Sequence, residues 1–261
     1  MYDYHMHSRV SFDGHDAPER MVRAAREKGL KEICFTDHID FDPDAAVQTM
    51  CFDRETYHDA YDRLCDDRVL VRKGVEFGML PDNQAKFREI LQGESYDFVL
   101  GSVHFVDGVD VYFPKYWEGK TVFQARQHFL EQTLECVRAH DDFDVLAHLT
   151  FLNKAPCNPE KHPIPYADHA PVLDEILKTL AKKEKGLEMN TSGVDRCGGF
   201  LPTAEYFLKF REFGGRIVTT GSDAHTWDRV GQYCTEAGIL LREIFGHVCT
   251  FEGRKVQFHK I

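Results

Sequence analysis

The sequence has no excess of positive charge and no long run of apolar residues. Lys and Arg number 32 against 43 Asp and Glu, a formal net charge of -11, whereas nucleic-acid-binding proteins usually carry an excess of Lys and Arg on one face. No apolar stretch reaches the about 20 residues that a membrane-spanning helix needs. We therefore expect neither a nucleic acid nor a membrane as a partner.

Closely spaced cysteine pairs, low-complexity segments and a leader-like start are also missing. The 8 cysteines include no Cys-x-x-Cys pair, so we expect reduced thiols and a cytoplasmic location. Residues 1–5 lack a basic region followed by an apolar run, so we expect no signal peptide. The 261 residues show no repeat of solenoid length, and we expect one domain over 1–261.

Short β-rich segments alternate with longer segments that have the helical spacing of apolar residues, which is typical of parallel strands joined by helical crossovers. The predicted strands are residues 2–7, 32–36, 69–77, 98–104, 145–149, 187–190 and 217–222. The predicted helices are residues 17–29, 54–66, 83–93, 121–140, 168–185 and 203–214. This pattern predicts an α/β fold, a distorted seven-stranded (β/α)7 TIM-like barrel, with a doubly wound open sheet as the alternative.

The remaining segments are harder to place. After residue 225 we expect a helix at 236–245 and strands at 248–251 and 256–259, which form either a terminal hairpin or a last barrel element. Two long connections, 107–120 and 154–169, are rich in aromatic residues, Pro and His, and loops of this length tend to carry function. We expect surface or solvated side chains at the histidines in helices and loops, which are His58, His128, His140, His162 and His169.

A polar side chain of a metal-ligating type follows almost every predicted strand. In a parallel barrel the carboxyl ends of the strands lie on one face, where such enzymes build their active sites. Because side chains alternate along a strand, His5 and His7 point the same way, whereas Asp37 and His38 diverge. We therefore expect His38 to be a ligand and Asp37 to orient a ligating imidazole. The full set is His5, His7, His38, Glu76, His104, His148, Asp223 and His225.

Each of these positions also has a simpler explanation. A histidine at a strand end is often a hydrogen-bonded structural residue, Glu76 can be an ion-pair partner, and Asp223 can cap the following helix. The simpler explanations would all have to coincide at the same end of successive strands, which favours a metal cluster. Mixed imidazole and carboxylate ligands suit zinc, iron or manganese.

With these residues in place, the sequence resembles the polymerase and histidinol phosphatase (PHP) superfamily. Its motifs are His5-Met6-His7 with Asp13-Gly14-His15, Thr36-Asp37-His38, Gly74-Val75-Glu76, His104, His148 and Asp223-Ala224-His225. The resemblance covers residues 5–225 and implies a distorted seven-stranded barrel that holds two or three divalent metal ions. It also implies the ligands: His5, His7, Glu76 and Asp223 for one ion, Glu76, His104 and His148 for a second, and His15, His38 and His225 for a third.

Two further segments are similar to the histidinol phosphatases of this superfamily. They are residues 96–108 and residues 188–193 followed by Arg196. The resemblance implies that an arginine near this turn holds the substrate phosphate, and Arg196 is displaced by about one residue from the expected position. The implied reaction is hydrolysis of L-histidinol phosphate to L-histidinol and inorganic phosphate, in histidine biosynthesis, by a metal-activated hydroxide. Glu76, Asp223 and Arg196 are the implied catalytic residues.

The composition of the loop at 107–120 suggests how the rest of the substrate is bound. We expect Asp110 and Trp117 to contact the ammonium and imidazole groups, and a lid that only excludes water is the alternative. A phosphoesterase for a nucleotide or another small phosphate ester would share every metal ligand. A polymerase-associated nuclease is disfavoured by the acidic composition. A non-catalytic metal-binding protein is disfavoured because structural metal sites are normally closed.

Overall fold

Strands and helices alternate along the described part of the chain, residues 1–41 and 50–260 of this computed structural model. The strands are β1 (Tyr2–Met6), β2 (Glu32–Phe35), β3 (His38–Ile39), β4 (Leu70–Gly78), β5 (Phe98–Ser102), β6 (Phe105–Val106), β7 (Val109–Asp110), β8 (Val145–Leu146), β9 (Gly186–Asn190), β10 (Val218–Gly221), β11 (His247–Glu252) and β12 (Lys255–Lys260). The helices are α1 (Pro18–Glu27), α2 (Arg54–Tyr61), α3 (Gln84–Leu91), α4 (Pro114–Trp117), α5 (Val122–Ala139), α6 (Ala170–Lys182), α7 (Val194–Cys197), α8 (Ala204–Glu212) and α9 (Cys234–Phe245). None of these described helices is long and apolar enough to cross a bilayer.

Seven parallel strands form a nearly closed barrel. Hydrogen bonds join them in the order β1-β2-β4-β5-β8-β9-β10, and the short β3 pairs with β4. The ring closes between β1 and β10, where the Asp223 N–H donates to the His5 carbonyl at 2.7 Å and the His7 N–H donates to the Ala224 carbonyl at 2.8 Å. The predicted seven-stranded barrel is confirmed, and the alternative of an open doubly wound sheet is wrong. The prediction of one domain over 1–261 stays a prediction.

Helix α2 ends earlier than the predicted range of 54–66. The Asp66 carboxylate accepts hydrogen bonds from the backbone N–H groups of Arg68 and Val69, at 2.9 and 3.2 Å. A short polar side chain that bonds the following backbone in this way competes with helical hydrogen bonds. Helix α2 has already ended at Tyr61, and this turn at Asp66 leads the chain into β4.

The apolar core has two parts. The larger part lies between the barrel strands and the helices around them. The smaller part includes Tyr4, Phe98, Val145 and Phe251 and gathers near the amino ends of the strands. Phe251 belongs to the hairpin of β11 and β12, and its N–H donates to the Tyr4 hydroxyl at 2.9 Å. Of the two alternatives for the carboxyl-terminal segment, the hairpin is confirmed, and it covers the end of the barrel opposite the candidate site.

Two histidines expected at the surface are buried. The His140 Nε2–H donates to the Leu80 carbonyl at 2.8 Å. The His169 Nδ1 lies 2.8 Å from the Gln127 side-chain oxygen, and its ring stacks on Phe123. The predictions for His140 and His169 were wrong, because one polar partner and an apolar contact are enough to offset burial of a neutral imidazole. The other three are partly or fully exposed, as expected: His58, His128 and His162.

Candidate metal centre and active site

Glu76, near the end of β4, lies at the centre of a buried group of histidines. Its Oε2 lies 3.1 Å from His5 Nε2 and 3.4 Å from His7 Nε2. Its Oε1 lies 2.8 Å from His148 Nε2 and 3.4 Å from His104 Nε2. His38 Nδ1 also lies 3.3 Å from Oε2. The two carboxylate oxygens therefore face two different sets of imidazoles, which is the arrangement that a carboxylate bridging two cations requires.

Asp223 completes the group around His5 and His7. Its Oδ1 lies 3.6 Å from His5 Nε2 and 3.5 Å from His7 Nε2, and these two nitrogens are 3.1 Å apart. Asp223 reaches this place because it lies two residues after the end of β10, whose neighbour across the barrel closure is β1. The structure thus brings together the four side chains predicted to hold the first ion.

A third group contains His7, Asp13, His38 and His225. The Asp13 Oδ2 lies 2.9 Å from His225 Nε2 and 3.5 Å from His38 Nε2. The imidazole rings of His38 and His225 each stack on that of His7, with centroids 4.4 and 4.3 Å away. Two of the three side chains predicted for the third ion therefore meet.

His15, the third residue predicted for this group, is not brought into it. Its side chain is exposed, and only its backbone N–H approaches the group, donating to the His225 carbonyl at 3.0 Å. Between Asp13 and His15, Gly14 packs so closely on Ser8 that a Cβ there would lie 1.8 Å from the Ser8 carbonyl oxygen. This tight turn directs the Asp13 side chain toward the cluster and leaves His15 in solvent.

The chemistry of these side chains fits divalent cations. Burial, together with the neighbouring His225 and His38, lowers the pKa of His7 to about 3. The ring is therefore neutral at ordinary pH, as a ligand must be, and its buried Nδ1 has no hydrogen-bond partner among the described residues. Cations between these rings and the carboxylates of Glu76, Asp13 and Asp223 would offset several buried negative charges at once.

Two further carboxylates lie behind the candidate ligands. The Glu188 Oε1 is 2.7 Å from His5 Nδ1, and its Oε2 accepts the backbone N–H of His148 at 2.7 Å. The Asp40 carboxylate contacts Nδ1 of both His38 and His104. Carboxylates in such positions fix the orientation and tautomer of a ligating imidazole. The sequence interpretation missed both, although Asp40 stands two residues after His38 and so falls on the same side of an extended chain.

Asp37, which was expected to orient an imidazole, has other partners. It diverges from His38 as predicted, but its carboxylate accepts the Ser8 N–H at 2.8 Å and the Tyr61 hydroxyl. Burial raises the pKa of Asp37 to about 7 although both of these donors oppose the shift. The Asp37 carboxylate therefore anchors the chain just after His7, and the expected contact with a ligating ring is made by Asp40.

Lys154 brings a positive charge to the edge of the cluster. Its Nζ contacts the Asp223 carboxylate and lies 3.4 Å from Ser192 Oγ. The same nitrogen lies 4.9 Å from the centre of the Phe151 ring. The only signal in the sequence was its place at the start of a long loop after β8, and no role was predicted for it.

Arg196 is exposed and is connected to the cluster through two aromatic side chains. Its Nη1 donates to the Tyr112 hydroxyl at 2.7 Å. The Tyr112 ring lies 6.2 Å from the Phe151 ring, which in turn lies 4.9 Å from His104 and 4.8 Å from His148. The predicted phosphate contact Arg196 thus stands on the same face of the barrel as the candidate ligands, one layer further out.

Asp110 and Trp117 help to shape the loop between β6 and α5. The Trp117 indole N–H donates to the Val111 carbonyl at 3.0 Å, and the Asp110 carboxylate accepts the Tyr112 N–H at 2.8 Å. These contacts hold the Tyr112 segment in place above Phe151. A direct role of Asp110 and Trp117 in substrate binding stays a prediction.

A barrel with buried imidazole and carboxylate groups at the carboxyl ends of its strands is that of a metal-dependent hydrolase. Residues 3–192 match the PHP domain family, and the chain belongs to that family. The chain is 29% identical over 263 residues to the histidinol-phosphatase of Lactococcus lactis subsp. lactis, covering 99% of this chain and 97% of the relative. It is 29% identical over 234 residues to the probable histidinol-phosphatase of Clostridium acetobutylicum, covering 88% and 89%.

A solved structure agrees with these sequence relatives. The crystal structure of histidinol phosphate phosphatase from Lactococcus lactis, complexed with zinc, L-histidinol and phosphate, matches with a TM-score of 0.85 at 26% identity. The match covers 98% of each chain. The predicted resemblance to the PHP superfamily is confirmed, as is the prediction of a histidinol-phosphatase-like enzyme.

Proposed function

We propose that this protein hydrolyses L-histidinol phosphate to L-histidinol and inorganic phosphate, as a step of histidine biosynthesis. The observation that carries the proposal is Glu76, whose two oxygens face two separate sets of imidazoles at 2.8 to 3.4 Å. It is supported by the match over 98% of the chain to a structure that holds zinc, L-histidinol and phosphate. The 8 cysteines are all free thiols, which supports our further proposal of a cytoplasmic location.

We propose that two or three divalent ions, zinc, iron or manganese, bind in this centre. The side chains that would hold them are His5, His7, Glu76 and Asp223 for the first, Glu76, His104 and His148 for the second, and Asp13, His38 and His225 for the third. We place Asp13 rather than His15 in the third set because His15 points into solvent. Such ions supply an activated water as nucleophile and a Lewis acid for the phosphoryl oxygens.

Lys154 and Arg196 are the proposed phosphate-binding residues. The Lys154 ammonium lies beside Asp223. From this position it can donate a charge-assisted hydrogen bond to a substrate phosphate bound at the cluster. Arg196, held by the Tyr112 hydroxyl, supplies a second cation at the outer edge. Both positive charges stabilise the phosphoryl oxygens more strongly as negative charge develops on them in the transition state.

Tyr112 and Phe151 form the apolar side of the proposed substrate site. Phe151 is 8% exposed and packs on His104 and His148, so it excludes water from that side of the cluster. We propose that Asp110 and Trp117, in the loop that carries Tyr112, contact the ammonium and imidazole groups of the substrate. If the double substitution Asp110→Asn and Trp117→Phe left substrate preference unchanged, the loop would be a lid that only excludes water.

A steady-state assay of phosphate release tests the function. L-histidinol phosphate is compared with nucleoside monophosphates and other small phosphate esters, and the metal content of the same preparation is measured by elemental analysis. We expect kcat/KM to favour histidinol phosphate by about 100-fold, because polar groups built for one substrate reject others that leave them unpaired. Preference for a nucleotide would establish the alternative phosphoesterase. Metal-loaded protein that cleaves none of the esters would be a non-catalytic metal-binding protein.

A further inference from the structure

A single buried carboxylate joins two of the candidate ligand groups. Both oxygens of Asp40, which directly follows β3 and is 1% exposed, lie 3.1 Å from His104 Nδ1. Its Oδ2 also lies 3.0 Å from His38 Nδ1, but this contact is a charge contact rather than a hydrogen bond, since His38 Nδ1 has no hydrogen-bond partner among the described residues. The opposite ring nitrogens face different groups, His104 Nε2 toward Glu76 Oε1 at 3.4 Å and His38 Nε2 toward Asp13 Oδ2 at 3.5 Å. Asp40 therefore stands behind the second and the third set of ligands at the same time.

The position of Asp40 depends on a glycine in the neighbouring strand. A Cβ at Gly78, the last residue of β4, would lie 1.8 Å from Asp40 Oδ1. Only a residue without a side chain leaves room for the carboxylate here. Any larger residue at position 78 would displace Asp40 from one or both imidazoles.

The chemistry of imidazole gives this contact a consequence for metal binding. A neutral imidazole carries one N–H and one lone pair, and an acceptor at one nitrogen leaves the lone pair on the other. We propose that Asp40 is a positioning residue for His104: its hydrogen bond holds the proton of this ring on Nδ1 and thereby presents His104 Nε2 to a divalent ion, while its charge lies beside the His38 ring. The inference rests on the proposed metal ligation by His104. His38 Nδ1 also lies 3.3 Å from Glu76 Oε2, which is the more distant of its two carboxylate neighbours.

Glu188 provides a matched comparison within the same centre. Its Oε1 lies 2.7 Å from His5 Nδ1, and its position also depends on a glycine, since a Cβ at Gly221 would lie 2.2 Å from that oxygen. Glu188 contacts the ring of one candidate ligand, His5, whereas its other oxygen accepts a backbone N–H from His148. Loss of the Asp40 carboxylate should therefore affect the His104 ring, and loss of the Glu188 carboxylate should affect the His5 ring.

The test compares Asp40→Asn, Gly78→Ala and Glu188→Gln with the parent protein, each loaded with zinc. Protein labelled with 15N-histidine reports the hydrogen-bonded Nδ1–H groups as separate low-field proton signals. We expect Asp40→Asn to shift the His104 signal to higher field and Glu188→Gln to shift the His5 signal in the same way, because a neutral amide oxygen is a weaker acceptor than a carboxylate oxygen. Gly78→Ala keeps the carboxylate but displaces it, so we expect it to change the same His104 signal even if Asp40→Asn folds poorly.

Zinc affinity gives the second measurement. With a competing chromophoric chelator, we expect Asp40→Asn and Gly78→Ala to bind zinc about 10- to 100-fold more weakly, the usual effect of removing a residue that orients a ligand. Unchanged signals and affinity in both variants would overturn the inference. So would a fourth zinc ion in the parent protein that is lost with Asp40, since Asp40 would then be a ligand itself.

Neither measurement uses a phosphate ester, so the inference and the proposed function fail separately. Parent protein that shows the expected signals and zinc affinities but does not cleave histidinol phosphate would refute the substrate and leave the role of Asp40 intact. If the parent protein cleaves histidinol phosphate while Asp40→Asn keeps every signal and its zinc affinity, the role of Asp40 is refuted and the proposed substrate stands.

Discussion

Replacing Lys154 by methionine removes a charge at the edge of the metal cluster, together with its ion pair to Asp223. The Lys154 Nζ contacts Asp223 and Ser192 and lies 4.9 Å from the centre of the Phe151 ring, and the side chain is 11% exposed. Methionine retains an unbranched apolar side chain of similar length. The effect of Lys154→Met therefore reports on the ammonium group rather than on a cavity.

The size of the effect follows from the strength of a hydrogen bond to a charged group. Such a bond contributes about 1.5 to 3 kcal/mol when its partner is buried. Because about 1.4 kcal/mol corresponds to a tenfold change in rate, we expect kcat/KM for histidinol phosphate to fall by about 10- to 100-fold. The inhibition constant of inorganic phosphate should rise in the same variant, since the product carries the same oxygens.

Two control variants separate this role from a general loss of positive charge. Lys161 lies in the same loop but donates to the carbonyls of Ala155 and Pro156 at 2.8 and 2.9 Å, so Lys161→Met should leave kcat/KM within about twofold, as surface changes usually do. Lys154→Arg keeps a donor for phosphate and should recover most of the lost activity. All variants are assayed at equal zinc content. If Lys154→Met kept the parent kcat/KM and phosphate inhibition, or if Lys161→Met lost as much, the assignment of Lys154 to the phosphate would be refuted.

Three other changes test separate parts of the structure. Glu76→Gln removes the charge shared by two ligand groups, so elemental analysis should show less zinc per chain. A variant that loses turnover but keeps its full zinc content would contradict the bridging role. Asp3→Ala leaves the buried N–H groups of Ser222 and Gly231 without their acceptor, so urea denaturation should show a loss of about 3 kcal/mol, and no measurable loss would contradict it. Burial lowers the pKa of His140 below its usual 6.5, so the unfolded chain takes up the proton first and stability rises with pH up to about 6.5. His140→Gln should flatten that rise, and an unchanged slope of unfolding free energy between about pH 5 and 7 would count against the assignment.

Most of the candidate ligands could be predicted because topology decides where strand ends meet. Once β/α units alternate, parallel strands place their carboxyl ends on one face, and His5, Glu76 and His148 must converge whatever the loops do. Side-chain alternation then accounts for His5 with His7, and these predictions needed no distances. The same reasoning does not predict where a side chain in a loop points, because loop residues do not alternate between two faces as strand residues do.

The turn after β1 shows why the third group was only partly predicted. Asp13 and His15 are both ligand types in one motif, and sequence spacing alone does not choose between them. The choice depends on Gly14, which fits against the Ser8 carbonyl with no room for a Cβ. Lys154 is a similar case, because its contact with Asp223 joins residues on loops that follow different strands.

Asp40 was missed for a different reason, which concerns register. His38 pairs with Glu76 and Ile39 with Phe77 in the parallel ladder of β3 and β4, so the next step along both chains sets Asp40 beside Gly78. The sequence contains both residues but not the pairing that aligns them, and a shift of one residue would turn the carboxylate away from the imidazoles. The sequence therefore predicts a positioning carboxylate only when the register is known. Its signs are a glycine two positions after a bridging glutamate and an aspartate two positions after a ligating histidine on the adjacent strand.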